Sequence, residues 1–336
     1  MGFIETLREK AVNNRTKYKI ILPESTDLRV LKAASQLVAQ NIAVPVLIGK
    51  KEEIEKIAAK DGIKLTGVEF FNPSNNPKTE KLAEAFFEIR KQKGITIEQA
   101  RETIISSPTY LAALLINEGM YHSFVSGAIS TSADVAKAAI YCIGIDEKSG
   151  ALSSSFLIEI PNCKYGENGL FVFADCGIIP NPPPRKLAGI AYASAKLFES
   201  LVGKKAKVAM LSFSTKGSAE GPMVEKVREA TNIAKELYPD MLIDGELQLD
   251  AAVDKDVAAK KCKGSPVAGE ANVLVFPDLN AGNIGYKLAN RLAGGRAVGP
   301  LLQGLKVPCS DLSRGCTADD IIDAAAIVSI RLNAKG

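Results

Sequence analysis

The chain has 336 residues, of which 46% are hydrophobic and 24% charged, and its 42 basic and 38 acidic side chains leave a net charge of +4. Domains average about 150 residues, so this length predicts two of them, and so small a basic excess argues against nucleic-acid binding. The one histidine, His122, excludes a metal site built from several histidines and leaves a single base for a Ser-His-Asp or Cys-His triad.

The cysteines and the N-terminus indicate a cellular compartment. No two of the six cysteines have C-x-x-C spacing, so neither a zinc ribbon nor a thioredoxin motif is present. Residues 1–19 form a charged, amphipathic stretch unlike a signal peptide, and no apolar run is long enough to span a membrane. We therefore expect a cytoplasmic protein with free thiols, in which His122 is structural or exposed.

In the first part of the chain, short β-rich segments alternate with helical patterns. The predicted strands are 19–23, 44–48, 68–71 and 123–128. The predicted helices are 28–40, 51–60, 79–92, 97–105, 109–118 and 133–143. This alternation is typical of α/β layers around a mostly parallel sheet.

The pattern changes near Gly150, which is the best candidate for a domain boundary. Two adjacent strand-like runs, 152–160 and 170–174, predict an antiparallel pair. Alternation then resumes, with strands predicted at 207–213 and 273–276. The helices predicted in this part are 185–201, 223–237, 251–261, 284–292 and 319–332.

Open parallel sheets bind ligands beyond the carboxyl ends of their strands. Five loops in that position carry Gly, Ser or Thr, namely 23–26, 126–134, 212–221, 277–287 and 309–320. Such loops offer N–H groups and helix N-termini to anions, which indicates a phosphorylated ligand. The P-loop motif and a G-x-G-x-x-G after a strand are both missing, which argues against a simple Rossmann NAD site. For any single loop, an ordinary βα turn is an equally good interpretation.

The segment 311–320 is the densest in chemistry. Arg314 is a fixed cation suited to phosphate or to a developing oxyanion, with Ser313 as a neighbouring donor. Asp320 is a candidate base, but Thr317-x-x-Asp320 is also a capping-box pattern, and the pattern alone favours the cap.

Read together, the motifs of this chain resemble the phosphate acetyltransferases of the phosphate acetyl/butyryltransferase family. The motifs are LPES (22–25), EIRKQKGIT (88–96), FVSGA (124–128), FADCG (173–177), MLSFSTKGSA (210–219), DGELQLDAA (244–252), ANVLVFPDLNAGNIGYKLANRL (271–292), GPLLQG (299–304) and DLSRGC (311–316). The resemblance runs essentially end to end and shifts the preferred role of Asp320 from cap to catalyst, although it can serve as both.

The resemblance implies reversible transfer of an acetyl group between coenzyme A and phosphate. Asp320 would take the proton from the coenzyme A thiol, and Ser313 and Arg314 would contact the thiol and the transferring group. Arg90 would contact phosphate or coenzyme A. A second arginine of the family falls at Lys137, which keeps the charge but loses the bidentate fork.

Further substrate contacts are expected from the loops and their flanking helices: Ser126, Gly127, Ser130, Thr131, Lys137, Ser214, Thr215, Lys216, Asn283 and Tyr286. Many relatives carry histidine where this chain has Ser130. We expect no metal and no bound cofactor, with coenzyme A as co-substrate. The other partners would be acetyl phosphate and phosphate, without nucleic acid or membrane, and the resemblance implies a homodimer.

The resemblance also implies a fold of two three-layer α/β domains with a cleft between them, like the isocitrate and isopropylmalate dehydrogenases. The first domain would combine 1–150 with 306–336, and the second would be 151–305. Closure of the domains would then exclude water from acetyl phosphate.

The mechanism that we favour is direct thiolate attack in a ternary complex. A thiol has an ordinary pKa of about 8.5 and an aspartate one of about 3.9. Asp320 is therefore a competent base only if partial burial raises its pKa or if it removes the proton as attack proceeds. The rival is a ping-pong route through an acetyl-cysteine at Cys316, Cys309 or Cys163.

Three other functions stay open on the sequence. The first is a phosphate acyltransferase for a butyryl or propionyl group, since one methylene is worth only about 1–3 kcal/mol of discrimination. The second is a decarboxylating NAD(P)-dependent hydroxy-acid dehydrogenase, because the family shares that architecture. The third is a two-lobed binding protein without catalysis.

Overall fold

The computed structural model describes residues 2–334. The strands are β1 (Lys19–Leu22), β2 (Val44–Ile48), β3 (Glu69–Phe71), β4 (Ser123–Ser126), β5 (Ser153–Glu159), β6 (Leu170–Ala174), β7 (Lys207–Leu211), β8 (Leu242–Leu247), β9 (Val273–Val275), β10 (Arg296–Gln303) and β11 (Ser310–Asp311). The helices are α1 (Phe3–Val12), α2 (Leu28–Ala39), α3 (Lys51–Lys60), α4 (Thr79–Arg90), α5 (Ile97–Ser106), α6 (Pro108–Asn117), α7 (Ser132–Ala138), α8 (Pro184–Val202), α9 (Pro222–Leu237), α10 (Leu249–Val253), α11 (Lys255–Lys261), α12 (Leu279–Leu292) and α13 (Ala318–Asn333). Short 3₁₀ turns at Pro73–Asn75 and Lys91–Lys93 and a π-helical turn at Ala139–Ile143 complete the elements.

The chain divides into two compact units. Among the described residues, the terminal unit combines Ile4–Gly144 with residues 305–334, and the central unit combines residues 145–304 with residues 2–3. Within the described residues, no helix is both long and apolar enough to cross a bilayer.

The terminal unit is built on a parallel sheet in the order β11-β4-β1-β2-β3. β1 lies in the middle, with Lys19 opposite Val44 and Ile20 opposite Ser123. Its apolar residues from Ile20 to Leu22 are buried, as expected for a strand covered by helices on both faces. The apolar side of α13 is buried from Ile321 to Ile330, and α13 packs against α2.

The central unit is built on a mixed sheet in the order β10-β5-β6-β9-β7-β8. β5 and β6 are antiparallel, with Ser155 opposite Ala174, which confirms the predicted pair. β6, β9, β7 and β8 run parallel, so the loops after these strands leave one edge of the sheet.

Most predicted elements are confirmed to within two or three residues at their ends. However, α1, three strands and one helix break were not predicted, and α12 begins five residues before its predicted start. β8 was missed because Asp244 and Glu246 interrupt its apolar pattern, yet both are buried against cations. β10 contains Gly299-Pro300, which is typical of an edge strand. The predicted helix 251–261 is two helices, because the Asp254 side chain accepts the N–H groups of Asp256 and Val257 and starts α11.

His122 is structural, as expected. Its ring Nδ1 accepts a hydrogen bond from the backbone N–H of Lys19 at 3.0 Å, and the backbone N–H of His122 donates to the Lys19 carbonyl at 3.1 Å. Within the described residues, none of the six cysteines forms a disulfide.

Candidate functional site

Three loops of the terminal unit meet at the carboxyl edge of its sheet. They follow β1, β4 and β11, which are adjacent parallel strands, so the sheet itself brings the three loops together. The first carries Glu24 and Asp27, the second Gly127 and Ser130, and the third Arg314.

The third loop presents Ser313 and Arg314 to solvent. Both residues are exposed, and the loop is turned by a bond from the Cys316 N–H to the Ser313 carbonyl at 2.9 Å. The Gly315 N–H donates to Ser313 Oγ at 3.3 Å. The Arg314 side chain therefore stands at the tip of the loop.

Asp320 forms the predicted capping box at the start of α13. Its Oδ2 accepts the Thr317 N–H at 2.8 Å and the Thr317 hydroxyl at 2.9 Å, while its own N–H donates to Thr317 Oγ1 at 3.2 Å. Both bonds to the carboxylate end on Oδ2, and the residue is exposed. The cap is confirmed, whereas the partial burial considered for Asp320 is not found, which leaves proton removal during attack as the route for a base.

Glu24 fills the concave side of the loop after β4. Its Oε2 accepts the N–H groups of Gly127 and Ala128 at 3.0 and 2.8 Å, and its Oε1 accepts those of Ile129 and Ser130 at 2.9 and 2.7 Å. The carboxylate is buried. The N–H groups that we expected to face a phosphate are thus used by an internal anion, and Gly127 and Ser130 contribute no free N–H group there.

Arg29, in the first turn of α2, joins the three loops. Its guanidinium donates to the carboxylate of Asp27, to the Ala128 carbonyl at 2.9 Å, and to the carbonyls of Arg314 and Cys316 at 2.7 and 3.0 Å. A single side chain therefore links the first, second and third loops.

The hydroxyl groups of the second loop are hydrogen-bonded within the unit. Thr109 Oγ1, at the start of α6, lies 3.2 Å from both Ser126 Oγ and Ser130 Oγ. Thr131 caps α7, where its hydroxyl donates to Asp134 Oδ2 at 2.7 Å and accepts the Asp134 N–H at 3.2 Å. Ser126 and Ser130 are thus brought together, and Thr131 acts as a helix cap.

Asp311 is buried directly beneath Gly127. A Cβ atom on Gly127, whose φ is +116°, would lie 2.5 Å from Asp311 Oδ1, so only glycine fits there. Burial raises the pKa of Asp311 to about 6, although hydrogen bonds from the Ser132 side chain and the Leu312 N–H act to lower it. Asp311 Oδ1 has no hydrogen-bond partner among the described residues.

Two predicted phosphate contacts lie on neighbouring helices of the same unit. Arg90 ends α4, and its guanidinium carbon lies 3.8 Å from the ring centroid of Tyr141. Tyr141 belongs to the π-helical turn that follows α7, one turn after Lys137. α4, which carries Arg90, therefore contacts the π-helical turn that directly follows α7, the helix that carries Lys137.

The remaining predicted contacts lie in the central unit, and three of them form a loop that also surrounds a glutamate. The Glu246 carboxylate accepts hydrogen bonds from the Ser214 hydroxyl at 2.9 Å, the Gly217 N–H at 2.8 Å and Arg228 Nε at 3.0 Å. Burial opposes ionisation of Glu246, but these hydrogen bonds outweigh it and hold its pKa at about 2. The Thr215 hydroxyl accepts the Gln248 N–H at 2.8 Å.

Lys216, Asn283 and Tyr286 also have partners inside the central unit. Lys216 Nζ lies 2.6 Å from Asp244, Asn283 Nδ2 donates to the Cys176 carbonyl at 3.0 Å, and the Tyr286 ring stacks on Phe156 with centroids 4.1 Å apart. The Lys216 ammonium is partly neutralised by this contact.

A comparison with family models decides the family. The model described as phosphate acetyl/butaryl transferase matches residues 2–329. The chain belongs to this family.

Two curated relatives, both named phosphate acetyltransferase, are 48% identical to the chain over 331 residues. The match to the protein of Thermoanaerobacterium thermosaccharolyticum covers 98% of this chain and 99% of the relative, and that to the protein of Acetivibrio thermocellus covers 98% of each. The family assignment thus rests on similarity along nearly the whole chain.

Solved structures agree with the assignment. A phosphotransacetylase from Streptococcus pyogenes matches with a TM-score of 0.91 at 41% identity, and one from Staphylococcus aureus with 0.89 at 38%, each over 98% of both chains. A 4-hydroxythreonine-4-phosphate dehydrogenase from Klebsiella pneumoniae shares the fold alone, with a TM-score of 0.53 at 10% identity. The predicted family and the α/β fold class are confirmed.

Five residues that shape the loops of this phosphate acetyl/butyryl transferase were not predicted from the sequence: Glu24, Arg29, Thr109, Asp311 and Glu246. Glu24 lies in the loop 23–26, which follows a predicted strand. An acidic residue at the same sheet edge as the glycine-containing loop 126–134 was the sequence feature that could have indicated its role. Arg29 and Thr109 have no local signal, because each is defined by partners far away in the chain.

Replacing Glu24 by glutamine is expected to destabilise the terminal unit by about 2–4 kcal/mol, because an amide NH₂ group would face two N–H donors in a buried site. Because the chain has no tryptophan, chemical denaturation followed by circular dichroism measures this change in the free energy of unfolding. Glu53→Gln is the matched control, since Glu53 is exposed and pairs only at the surface with Lys50; its effect should stay within about 0.5 kcal/mol. Equal stability of both variants would contradict a structural role of the Glu24 carboxylate.

Proposed function

We propose that this acyltransferase reversibly transfers an acetyl group between acetyl phosphate and coenzyme A. The observation that carries the proposal is the loop after β11, which presents the exposed side chain of Arg314 and leads within six residues to the exposed carboxylate of Asp320. The loop lies at the carboxyl edge of a parallel sheet, where α/β proteins bind ligands.

The chemistry follows from these groups. Asp320 takes the proton of the coenzyme A thiol while the sulfur forms a bond to the carbonyl carbon of acetyl phosphate. The electron pair of the C=O bond moves to oxygen, and the Arg314 guanidinium stabilises this oxyanion. Collapse of the intermediate breaks the bond from carbon to the phosphate oxygen, and phosphate leaves with that electron pair and recovers the proton from Asp320. Arg90 and Lys137 would hold the anionic groups of the substrates.

The acetyl group is favoured because the relatives from Thermoanaerobacterium thermosaccharolyticum and Acetivibrio thermocellus are both named phosphate acetyltransferase. Comparing rates with acetyl, propionyl and butyryl phosphate tests this choice, and a higher kcat/KM with butyryl phosphate would favour the longer acid. No bound cofactor is proposed, and coenzyme A is a co-substrate.

The deciding assay mixes the protein with acetyl phosphate and coenzyme A and follows thioester absorbance together with loss of free thiol. Thioester formation supports acyl transfer. Its absence, combined with NAD(P)-dependent absorbance change on hydroxy acids, would instead favour a dehydrogenase. Absence of both reactions would favour a binding protein.

Replacing Cys316 by serine is expected to leave kcat within about threefold of the wild type, because direct attack needs no enzyme thiol. Burial raises the pKa of the Cys316 thiol, which works against a thiolate at this position. Steady-state kinetics measure kcat, and exchange of labelled phosphate into acetyl phosphate without coenzyme A is the complementary test. A loss above about 100-fold, together with such exchange in the wild type, would establish the ping-pong route.

We also propose a cytoplasmic homodimer. The central unit exposes Ile284, Leu288 and Leu292 on α12, and it also exposes Phe213, Met223 and Leu249, which line one pocket. Ile284, Leu288 and Leu292 follow a spacing of four residues and thus share one side of the helix. Exposed apolar patches of this kind are typical of protein interfaces.

Replacing Leu288 by glutamate is expected to convert the dimer to a monomer, because a charge in the centre of the buried patch would be desolvated. Analytical ultracentrifugation of the wild type and the variant measures the change. Replacing Leu237, an exposed leucine at the end of α9, by glutamate is the control and should leave the dimer intact. A dimer that survives the Leu288 change would place the interface elsewhere.

A further inference from the structure

Arg29 is not among the residues that the motifs assigned to the reaction, yet it contacts the backbone on both sides of Gly315. Its Nη1 donates to the carbonyl of Arg314 at 2.7 Å and to that of Cys316 at 3.0 Å. The peptide from which the Arg314 side chain extends is therefore fixed by a second arginine.

All five N–H donors of the Arg29 guanidinium are in use. Besides the two bonds from Nη1, Nη2 donates to Asp27 Oδ2 at 2.7 Å and to the Ala128 carbonyl at 2.9 Å, and Nε donates to Asp27 Oδ1 at 3.0 Å. A guanidinium has only five such donors, so none is left to bind a substrate. The contacts of Arg29 therefore point to an indirect role.

The partner set explains why an arginine is needed. Asp27 takes two parallel bonds from the planar fork, which fixes the plane of the guanidinium, and the remaining donors then point at three carbonyls on two loops. A lysine ammonium has three donors and no plane, so it cannot reproduce this geometry.

Glu24 and Arg29 act on opposite sides of the same loop. Glu24 accepts the N–H groups of residues 127–130, whereas Arg29 donates to the Ala128 carbonyl. Glu24 and Arg29, which both follow β1, thus hold the backbone of the loop after β4. Arg29 also holds the backbone of the loop after β11 through the carbonyls of Arg314 and Cys316.

We propose that Arg29 is a positioning residue that sets the direction of Arg314 for acetyl transfer, and this inference rests on the proposed function. Its side chain is 32% exposed and that of Asp27 is 15% exposed, so their ion pair is half-buried. Replacement by lysine keeps the positive charge beside Asp27 but loses the planar fork. The change from Arg29 to lysine should therefore affect the turnover number much more than the stability of the fold.

The first test is Arg29→Lys in the full chain. We expect kcat to fall about 10- to 100-fold, because small displacements of a catalytic group cost rates of that size. The KM for coenzyme A should change less than about threefold, and the thermal unfolding midpoint should stay close to that of the wild type. Arg101→Lys is the matched control, since Arg101 is exposed and pairs with Glu80 away from these loops; its kcat should equal that of the wild type.

The second test is a double-mutant cycle with Arg314→Lys. If Arg29 acts through Arg314, Arg29→Lys should lower kcat less than about threefold in the Arg314→Lys background. Equal fold losses in both backgrounds would overturn the inference, because they would mean that the two residues act independently.

Asp27→Asn provides a variant that keeps α2 capped, since asparagine is as good an N-cap as aspartate. It removes one partner of the Arg29 fork, and we expect a loss in kcat of about three- to tenfold with unchanged KM. Wild-type kcat in both Asp27→Asn and Arg29→Lys, in an enzyme that makes acetyl coenzyme A, would overturn the positioning role alone. A wild-type protein that makes no thioester would overturn the proposed function, and the inference with it.

Discussion

Replacing Arg314 by glutamine is expected to lower kcat by about 10³-fold or more. In the proposed reaction this guanidinium stabilises the developing oxyanion, and removal of one such donor typically lowers kcat by about 10²- to 10³-fold. Glutamine also removes the charge, so the loss should lie at or above the upper end. Initial rates of thioester formation at saturating coenzyme A and acetyl phosphate measure it.

Two further variants separate charge from geometry at this position. Arg314→Lys keeps the charge but loses the planar fork, and we expect its kcat to lie between those of the wild type and Arg314→Gln. Arg101→Gln removes an exposed arginine elsewhere in the terminal unit and should leave kcat unchanged. Because Arg314 is exposed, its replacement should leave the free energy of unfolding within about 0.5 kcal/mol of the wild type. A kcat loss below about tenfold would contradict a role in charge stabilisation.

The fold was largely predictable because most strands are uninterrupted apolar runs. Residues 20–22 and 46–48 are buried in a parallel sheet, and such runs look the same whatever lies around them. β8 escaped prediction because its acids Asp244 and Glu246 are buried, and their partners Lys216 and Arg228 come from a loop and a helix earlier in the chain. Burial of a charge depends on tertiary contacts that no local pattern contains.

The candidate site divides in the same way. Ser313, Arg314 and Asp320 lie on one short segment, so their proximity follows from the sequence alone, and the capping box was readable from the spacing of Thr317 and Asp320. The contact of Glu24 with the loop after β4 could not be predicted from local sequence, because Glu24 and Gly127 are 103 residues apart in the chain.

That difference changes how glycine-rich loops should be interpreted. The loop after β4 and the loop after β7 were both predicted to bind phosphate through their N–H groups, yet Glu24 and Glu246 already accept several of them. Asp175 does the same after β6, where it accepts the N–H groups of residues 177–179. In this chain, internal carboxylates fix the shape of such loops, so we propose that side-chain cations rather than loop N–H groups hold the substrate anions.

Replacing Asp320 by asparagine is expected to lower kcat by about 10²- to 10³-fold, which is the range for loss of a general base. Asparagine can still accept the Thr317 N–H through its side-chain oxygen, so the cap of α13 and the fold should persist. The KM for coenzyme A should change little, because the lost group acts on the thiol proton during attack. Steady-state kinetics in both directions measure these quantities.

Asp319→Asn is the matched control for this change. Asp319 precedes Asp320, has the same charge and is 76% exposed, and its ion pair with Arg8 is backed by a second pair from Arg8 to Asp323. Its kcat should therefore equal that of the wild type. Thr317→Val separates the two roles of Asp320, because it removes the hydroxyl of the cap but leaves the carboxylate in place. Near-normal kcat in Thr317→Val together with a large loss in Asp320→Asn would assign Asp320 to proton transfer, whereas equal losses in both would mean that Asp320 acts only by capping the helix.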